Sequence, residues 1–500
     1  MYLFKSKKYR KTKKKRRLCA STNHLEEFVV TTPTAPSVDA HYDYIIIGAG
    51  SGNSIPTDDF DDKSIAIVEK GLFGGTCMNV GCIPTKMYVV AADTALSAAD
   101  SSHLGLDTNF HGADWKSIVQ RIFHNRIDLI AQGGEEYRRG PETPNITVYD
   151  NHASFVAPKT IQTGQGAERK TIYGDTIIIA TGSRPIIPSA IKDSGVPFHT
   201  NETIMRLDEQ PGSLTIIGGG FIAMEFAHVF QSLGTDVTVI NRSPLLRTLD
   251  GDITTRFNEL AEQRYTTHIG RTVSTARHDD SGVTVVLDDG TEVSSEALLV
   301  ATGRKPNGDQ MNLDAAGIEM HSDGRIVVDD YGRTTADGVW ALGDVSSPYQ
   351  LKHVANAETR AVRHNILNPD GMVAMPHDHV PSAIFTHPQI ATVGLTEEQA
   401  REAGHDVTVK VQNYGDVAYG WALEDTTSIV KLVADRSTGT LLGAHYMGPQ
   451  AATLIQQMIT VMAFDLDVRE VATHQYWIHP ALPEVTENAL LGLDFEFPDV

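Results

Sequence analysis

Cys77 and Cys82 stand five residues apart in Gly74-Gly75-Thr76-Cys77-Met78-Asn79-Val80-Gly81-Cys82-Ile83-Pro84-Thr85-Lys86, in a chain of 500 residues with three cysteines. A thiol pair at this spacing can close a small disulfide ring and reopen it to a thiolate nucleophile. Buried cysteines also serve as small apolar fillers, and spacing alone leaves both readings open. Near the other end of the chain, His479-Pro480 is followed by Glu484. Thiol–disulfide exchange releases a thiolate that must be protonated, and imidazole, with an ordinary pKa near ~6.5, suits that task. Glu484 can accept the other ring N–H and fix the tautomer.

Two glycine motifs supply the surroundings. The run His41 to Ile47 is β-rich and leads into Gly48-Ala49-Gly50-Ser51-Gly52-Asn53. Strand, glycine turn and helix form the context in which backbone approaches a pyrophosphate at a helix N-terminus. A second strand over Ser64 to Val68 ends at Glu69, placed for ribose hydroxyls. Asn53 stands where a third glycine is usual, which predicts looser helix–strand packing.

The pattern recurs. Strand Leu214 to Ile217 precedes Gly218-Gly219-Gly220-Phe221-Ile222-Ala223, a helix through Glu225 and Phe230, and strand Asp236 to Ile240. Asn241-Arg242, with Arg247 beyond, replaces the carboxylate that would bond an NAD ribose. Arginines pair with a 2′-phosphate that a carboxylate would repel, so NADPH is expected over NADH. Solvated surface arginines are the plainer alternative. Strand-to-turn junctions at Ala180-Thr181-Gly182-Ser183-Arg184 and Ala297 to Arg304 bracket this second unit, as an insertion would. The chain then returns through Arg325–Val328 to a strand at Val339–Leu342 and to Gly343-Asp344, where Asp344 can accept from a ribitol hydroxyl. Helices are expected over Lys86 to Ala99 and Trp115 to Arg139. From about His377 strands and helices alternate as in an antiparallel sheet with helices on one face.

Composition narrows the class. No apolar run approaches the ~20 residues of a membrane span. Few cysteines in so long a chain fit a reducing, cytoplasmic compartment. Ten of the thirteen residues from Lys5 to Arg17 are basic, yet residues 41–500 carry a net charge of −28, so the body is a poor nucleic-acid binder. The basic tail and its Thr/Pro linker are expected to be disordered and dispensable for flavin binding and activity. No metal site is expected.

In this order of parts the chain resembles the FAD-dependent pyridine nucleotide–disulfide oxidoreductases, the family of glutathione reductase and dihydrolipoamide dehydrogenase, over roughly residues 41–492. The resemblance implies a mixed α/β and α+β fold: two Rossmann-like dinucleotide domains, for FAD and an inserted NADP domain, and a C-terminal α+β dimerisation domain. The implied division is a tail over 1–40, FAD domain over 41–188 and 307–376, NADPH domain over 189–306, and dimerisation domain over 377–500. It implies FAD and NADPH as cofactors, held by Gly48, Gly50, Gly52, Glu69, Gly75, Thr76, Lys86, Thr181, Gly182, Gly343 and Asp344, and by Gly218, Gly220, Ala223, Arg242, Arg247 and Gly303. Cys82 would face the flavin and Cys77 attack a small-molecule disulfide substrate. Lys86 would pair with Glu225. His479, oriented by Glu484, would come from the partner subunit of an obligate homodimer serving thiol redox homeostasis.

Finer details are similar to one branch, which reduces the symmetrical disulfide of a cysteinyl amino-sugar–inositol thiol. These are residues 50–54, Lys86-Met87 with Ala91-Ala92-Asp93, and Gln475 to Glu484 with Asn488 to Gly492. Asn53 recurs in that branch, so it does not weaken the FAD reading. An NAD-linked dihydrolipoamide dehydrogenase is the rival, although it carries an acidic residue where Asn241-Arg242 stands. A catalytically idle flavoprotein binding subunit would lack a cysteine or the His–Glu pair.

Overall fold

The computed structural model describes residues 37–495, so the basic tail, with Cys19, lies outside the described residues. Strand Ala40–Ile47 is the centre of the first sheet, pairing in parallel with Ile65–Glu69 on one side and Lys170–Ile179 on the other. Ile146–Asp150 extends it at one edge, and Val339–Ala341 joins Lys170–Ile179 in parallel, so the return segment closes the same sheet. The runs Ile45 to Ile47 and Ile65 to Val68 are buried throughout, as strands covered on both faces must be. The antiparallel pair Ser154–Ala157 and Thr160–Thr163 lies along the other half of Lys170–Ile179.

Two expectations for this unit fail. The helix expected after Gly48-Ala49-Gly50 is a single 3₁₀ turn, Ser51–Ser54. Pro56 ends it: proline has no N–H to give and its ring clashes with the carbonyl four residues back. The chain proceeds through a second short turn, Asp58–Phe60. Helix Lys352–Leu367 packs against the first turn, and Lys352 Nζ donates to Ser51 Oγ at 2.8 Å. Asn53 does not loosen the packing, because Arg138 donates to its side-chain and main-chain oxygens, each at 2.9 Å. The return segment Arg325–Val328 forms only isolated bridges to Met320 and Thr334. Trp115 to Arg139 is helical as expected, with a π-helical stretch over Gln120–Ile127.

The second unit is a four-stranded parallel sheet in the order Thr266–Ile269, Asp236–Asn241, Ser213–Ile217, Ala297–Val300. An antiparallel ribbon, Val273–Asp279, Gly282–Leu287 and Glu292–Ser295, packs beside it. The two crossings between the units, Ser183–Pro185 and Arg304–Pro306, pair with one another antiparallel.

Five antiparallel strands follow, in the order Ser382–Ile384, Ile390–Gly394, Leu441–Met447, Ile429–Asp435, Val407–Asn413. Both faces are covered, not one. Val430, Leu432 and Ala434 share a core with Leu454, Ile455 and Met458 of helix Ala451–Ala463. The opposite face carries Ile429 into a core with Phe230 and Phe257, and turns Lys431 toward Asp250 at 2.9 Å, Asp252 at 2.5 Å and Glu397 at 2.8 Å. The Lys431 ammonium, although buried, is held above the ordinary lysine range because those three carboxylates outweigh its desolvation. This cluster docks the C-terminal sheet on helix Gly251–Arg264 of the second unit.

Candidate active site

Gly74 and Gly75 both take positive φ, letting the chain turn sharply into the short helix Gly75–Asn79 and then into Cys82–Ala99. The buried Asn79 amide holds this turn by donating to the carbonyls of Phe73 at 2.8 Å and Gly75 at 3.1 Å. Cys82 is the first residue of the long helix, where unsatisfied N–H groups favour an anion. Pro84 is tolerated there because the first-turn N–H groups have no helical partner.

Both cysteines are free thiols and interact as a pair. The hydrogen bond from Cys77 brings the Cys82 thiol down to about 7, with Lys86 assisting against desolvation. The same bond, with burial, pushes Cys77 far up. Of the two thiols, Cys82 therefore ionises first and Cys77 keeps its proton. One helical turn on, Lys86 Nζ meets Glu225 Oε2 at 2.6 Å and lies 4.6 Å from the Phe385 ring centre. Glu225, only 6 % exposed, also accepts from the Phe385 N–H at 2.9 Å, so the buried carboxylate is fully engaged.

Cys77, Cys82, Lys86 and Glu225 open on a cavity of about 1620 Å³. That exceeds the ~300–1,000 Å³ usual for one small-molecule site. Gly48, Gly50, Gly75 and Thr76 line it near the cysteines, with Glu69, Thr181, Gly182, Gly343 and Asp344 beyond. A side chain at Gly48 would collide with the Ala180 carbonyl, and one at Gly218 with the Ala301 carbonyl, so both units lay the first strand against the alanine turn in the same way. A Cβ on Gly75 would lie 2.7 Å from Gly50 Cα, so those two turns present bare backbone to the cavity. Asn79 Oδ1 and Thr181 Oγ1 are buried and lack protein partners. Bare glycine backbone, uncommitted polar atoms and a carboxylate at Asp344 fit a flavin dinucleotide. Glu69 has a second duty, since its carboxylate accepts from the N–H groups of Ala49 at 2.7 Å and Gly71 at 2.8 Å and so braces the glycine turn.

Gly218, Gly220 and Gly303 line the same cavity from the second unit, at the N-terminus of helix Phe221–Ser232. Gly52 and Ala223 do not. Gly52 packs on Ile46 and Ala180, and Ala223 is fully buried, so each allows close helix or turn packing. The Asn241 side chain folds back to donate to the Ser243 carbonyl at 2.7 Å. Arg242 and Arg247 are exposed, and both line the cavity wall.

His479 and Glu484 are brought to each other, not to the thiols. His479 Nδ1 and Glu484 Oε1 lie 2.6 Å apart, and the Ala481 N–H donates to Glu484 Oε2 at 3.1 Å. The His479 bond holds the Glu484 carboxyl below its ordinary range. Neither residue lines the cavity of their own chain, and the His479 side chain is 70 % exposed. Tyr476, Ile478 and Phe464 nearby in sequence are also strongly exposed. Sequence reasoning missed Asn79, Phe385, Asn201 and Arg304. Asn79 lies inside the cysteine motif; Asn201 and Phe385 arrive from distant loops and Arg304 from the crossing Arg304–Pro306, and none leaves a local signal.

A family model described as pyridine nucleotide-disulphide oxidoreductase matches residues 42–361, and one for the dimerisation domain of these proteins matches residues 380–490. A mycothione reductase of Mycobacterium tuberculosis is 51% identical over 90% of this chain and 99% of its own. A dihydrolipoyl dehydrogenase of Halobacterium salinarum is 32% identical over 89% of this chain and 95% of its own. The solved structure of the HOCl-induced flavoprotein disulfide reductase RclA from Escherichia coli superimposes with a TM-score of 0.79 at 28% identity, covering 90% of this chain and all of that one.

Proposed function

The chain belongs to the pyridine nucleotide-disulphide oxidoreductases, flavoproteins that use FAD and NAD(P)H to reduce disulfides, and on that premise we propose that its substrate is mycothione. The observation that carries the disulfide chemistry is the free Cys77–Cys82 pair, with the Lys86–Glu225 ion pair one helical turn on, in a cavity that two glycine turns also line. The choice of mycothione rests on the 51% identity to a mycothione reductase over nearly the whole of both chains.

FAD would be held by the turns carrying Gly48, Gly50, Thr181 and Asp344, and would supply two-electron transfer between the nicotinamide and the Cys77–Cys82 disulfide. The protein does the rest. Lys86, held by Glu225, and the helix N-terminus favour Cys82 as thiolate, so Cys77 retains its proton and needs a base to become the nucleophile. His479 from the partner takes that proton as Cys77 attacks one substrate sulfur, forming a mixed disulfide and expelling the first thiolate. His479 returns the proton to that leaving thiolate. Cys82, already deprotonated and in contact with Cys77, then attacks the Cys77 sulfur and expels the second product as a thiolate, which takes a proton from solvent. Two electrons and two protons thus yield two thiols. The dimerisation domain supports a homodimer, and the exposed apolar residues around His479 suit burial against a second copy. The described residues hold no helix long and apolar enough to cross a membrane; the free thiol pair suits the reducing cytoplasm.

The direct test compares NADPH turnover with mycothione, glutathione disulfide and lipoamide. Mycothione is expected to give the highest kcat/KM; a preference for lipoamide with NADH would establish the dihydrolipoamide dehydrogenase reading instead. Arg242 and Arg247 carry the coenzyme choice. Each charge-assisted bond to a 2′-phosphate is worth about 1.5–3 kcal/mol. Replacing either arginine by glutamine is expected to lower kcat/KM for NADPH roughly 10- to 100-fold and to leave NADH unchanged. Equal losses with both coenzymes would remove the phosphate role.

A further inference from the structure

Between the two thiols the chain passes Val80, whose carbonyl accepts from Asn201 Nδ2 at 2.8 Å. Asn201, 6 % exposed, accepts in turn from Arg304 Nη1 at 3.2 Å. The remaining donors of Arg304 reach Ser183, with Nε to its hydroxyl at 2.8 Å and Nη2 to its carbonyl at 2.7 Å. The Ser183 hydroxyl donates to Asp344 Oδ2 at 2.6 Å. A single hydrogen-bonded path thus runs from the redox loop to the turn that lines the flavin side of the cavity. It passes through the paired crossings Ser183–Pro185 and Arg304–Pro306 that join the two nucleotide units.

We propose that Arg304 and Asn201 are positioning residues for the redox pair, tying the loop between the thiols to the Asp344 turn and holding a cation on the Cys82 side of it. The hydrogen bonds of Arg304 all go to neutral oxygens, and Asp344 is one hydroxyl removed, so the positive charge is only partly compensated. Burial disfavours that charge, while Asp344, Glu202 and Cys82 favour it in that order. Arg304, Glu202 and Cys82 line the same cavity, and Arg304 reaches the loop between the thiols through Asn201, so its cation faces the side on which the Cys82 thiolate forms. The planar fork of arginine sets three donors at once toward Asn201 and Ser183, which an ammonium cannot reproduce. Reduction of the disulfide creates the thiolate, so the cation favours the reduced form and raises the midpoint potential.

The proposal rests on the reading of Cys77 and Cys82 as the redox pair, and the test separates the two. In purified holoenzyme, the Cys77–Cys82 couple is equilibrated against dithiol buffers, and alkylation of Cys82 is followed against pH by peptide mass spectrometry. Arg304→Met is expected to lower the equilibrium constant for reduction about tenfold, or ~30 mV for a two-electron couple, and to move the Cys82 midpoint upward. Arg304→Lys keeps the charge and is expected to recover most of both shifts. Asn201→Ala leaves the cation in place but frees the Val80 carbonyl, so faster deuterium uptake is expected in the peptide spanning residues 76–86. If Arg304→Met does not fold, the Asn201→Ala exchange decides. Wild-type titration by Arg304→Met, or by Lys no better than by Met, overturns the electrostatic role, and unchanged exchange in Asn201→Ala overturns the tether. A wild-type pair that never cycles removes the redox reading itself, whatever the variants do.

Discussion

Cys77→Ser is expected to stop disulfide turnover, with a loss of about 10⁴-fold or more, the scale seen when a covalent nucleophile is removed. Serine is nearly isosteric but its hydroxyl cannot form the mixed disulfide, so the substrate has no sulfur to receive it. Cys82 cannot substitute, because it faces Lys86 and the helix N-terminus and has no second thiol to resolve an adduct. The variant keeps Cys82, Lys86 and Glu225, so NADPH oxidation by ferricyanide, a one-electron acceptor that needs no thiol, is expected to remain near wild type. That contrast separates lost chemistry from lost folding. The substitution exchanges the thiol donor, the largest cause of the low Cys82 pKa, for a hydroxyl donor at nearly the same place. Thiolate fraction rises with pH through the pKa, so the alkylation midpoint of Cys82 is expected to stay near about 7 in Cys77→Ser. Lys86 and the helix N-terminus also still favour the anion. Disulfide turnover within tenfold of wild type would refute the role given to Cys77.

What the sequence disclosed, and what it withheld, divides along the range of the forces involved. Buried strand segments such as Ile45 to Ile47 and Ala297–Val300 are legible because every residue faces a core, and the glycine turns because backbone approach excludes a side chain. Both are local. The helix expected after Gly50 misleads because the glycine pattern implies one, whereas Pro56 and the acidic run at 58–62 forbid it, and distant helix Lys352–Leu367 covers the turn. The ribbon over residues 273–295 is polar on its open face and gives little apolar signal. In the site, the thiols, Lys86 and Glu225 were readable from their motifs. Asn201 and Arg304 were not, since their meaning lies in what their side chains reach. Lys431 reads as a solvated strand lysine until the fold sets three carboxylates around it.

His479→Ala is expected to lower kcat for disulfide reduction by ~10²–10⁴, the contribution of a positioned general acid–base group. Ferricyanide reduction should again be spared. Glutamine at 479 can hydrogen-bond to Glu484 but cannot carry a proton, so it should fare little better than alanine; recovery by glutamine would make the ring a structural prop. The subunit origin of His479 has its own test. Within one chain His479 is exposed, and it and Glu484 stand outside the cavity that holds the thiols. If each site takes its thiols from one chain and its imidazole from the other, a Cys77→Ser subunit paired with a His479→Ala subunit makes two unlike sites. One carries both lesions and the other carries neither. The mixed dimer is therefore expected to regain about half of wild-type activity, as two-fold symmetry requires, although each parent homodimer is nearly inactive. If His479 served its own chain, each site would carry one lesion and mixing would restore nothing.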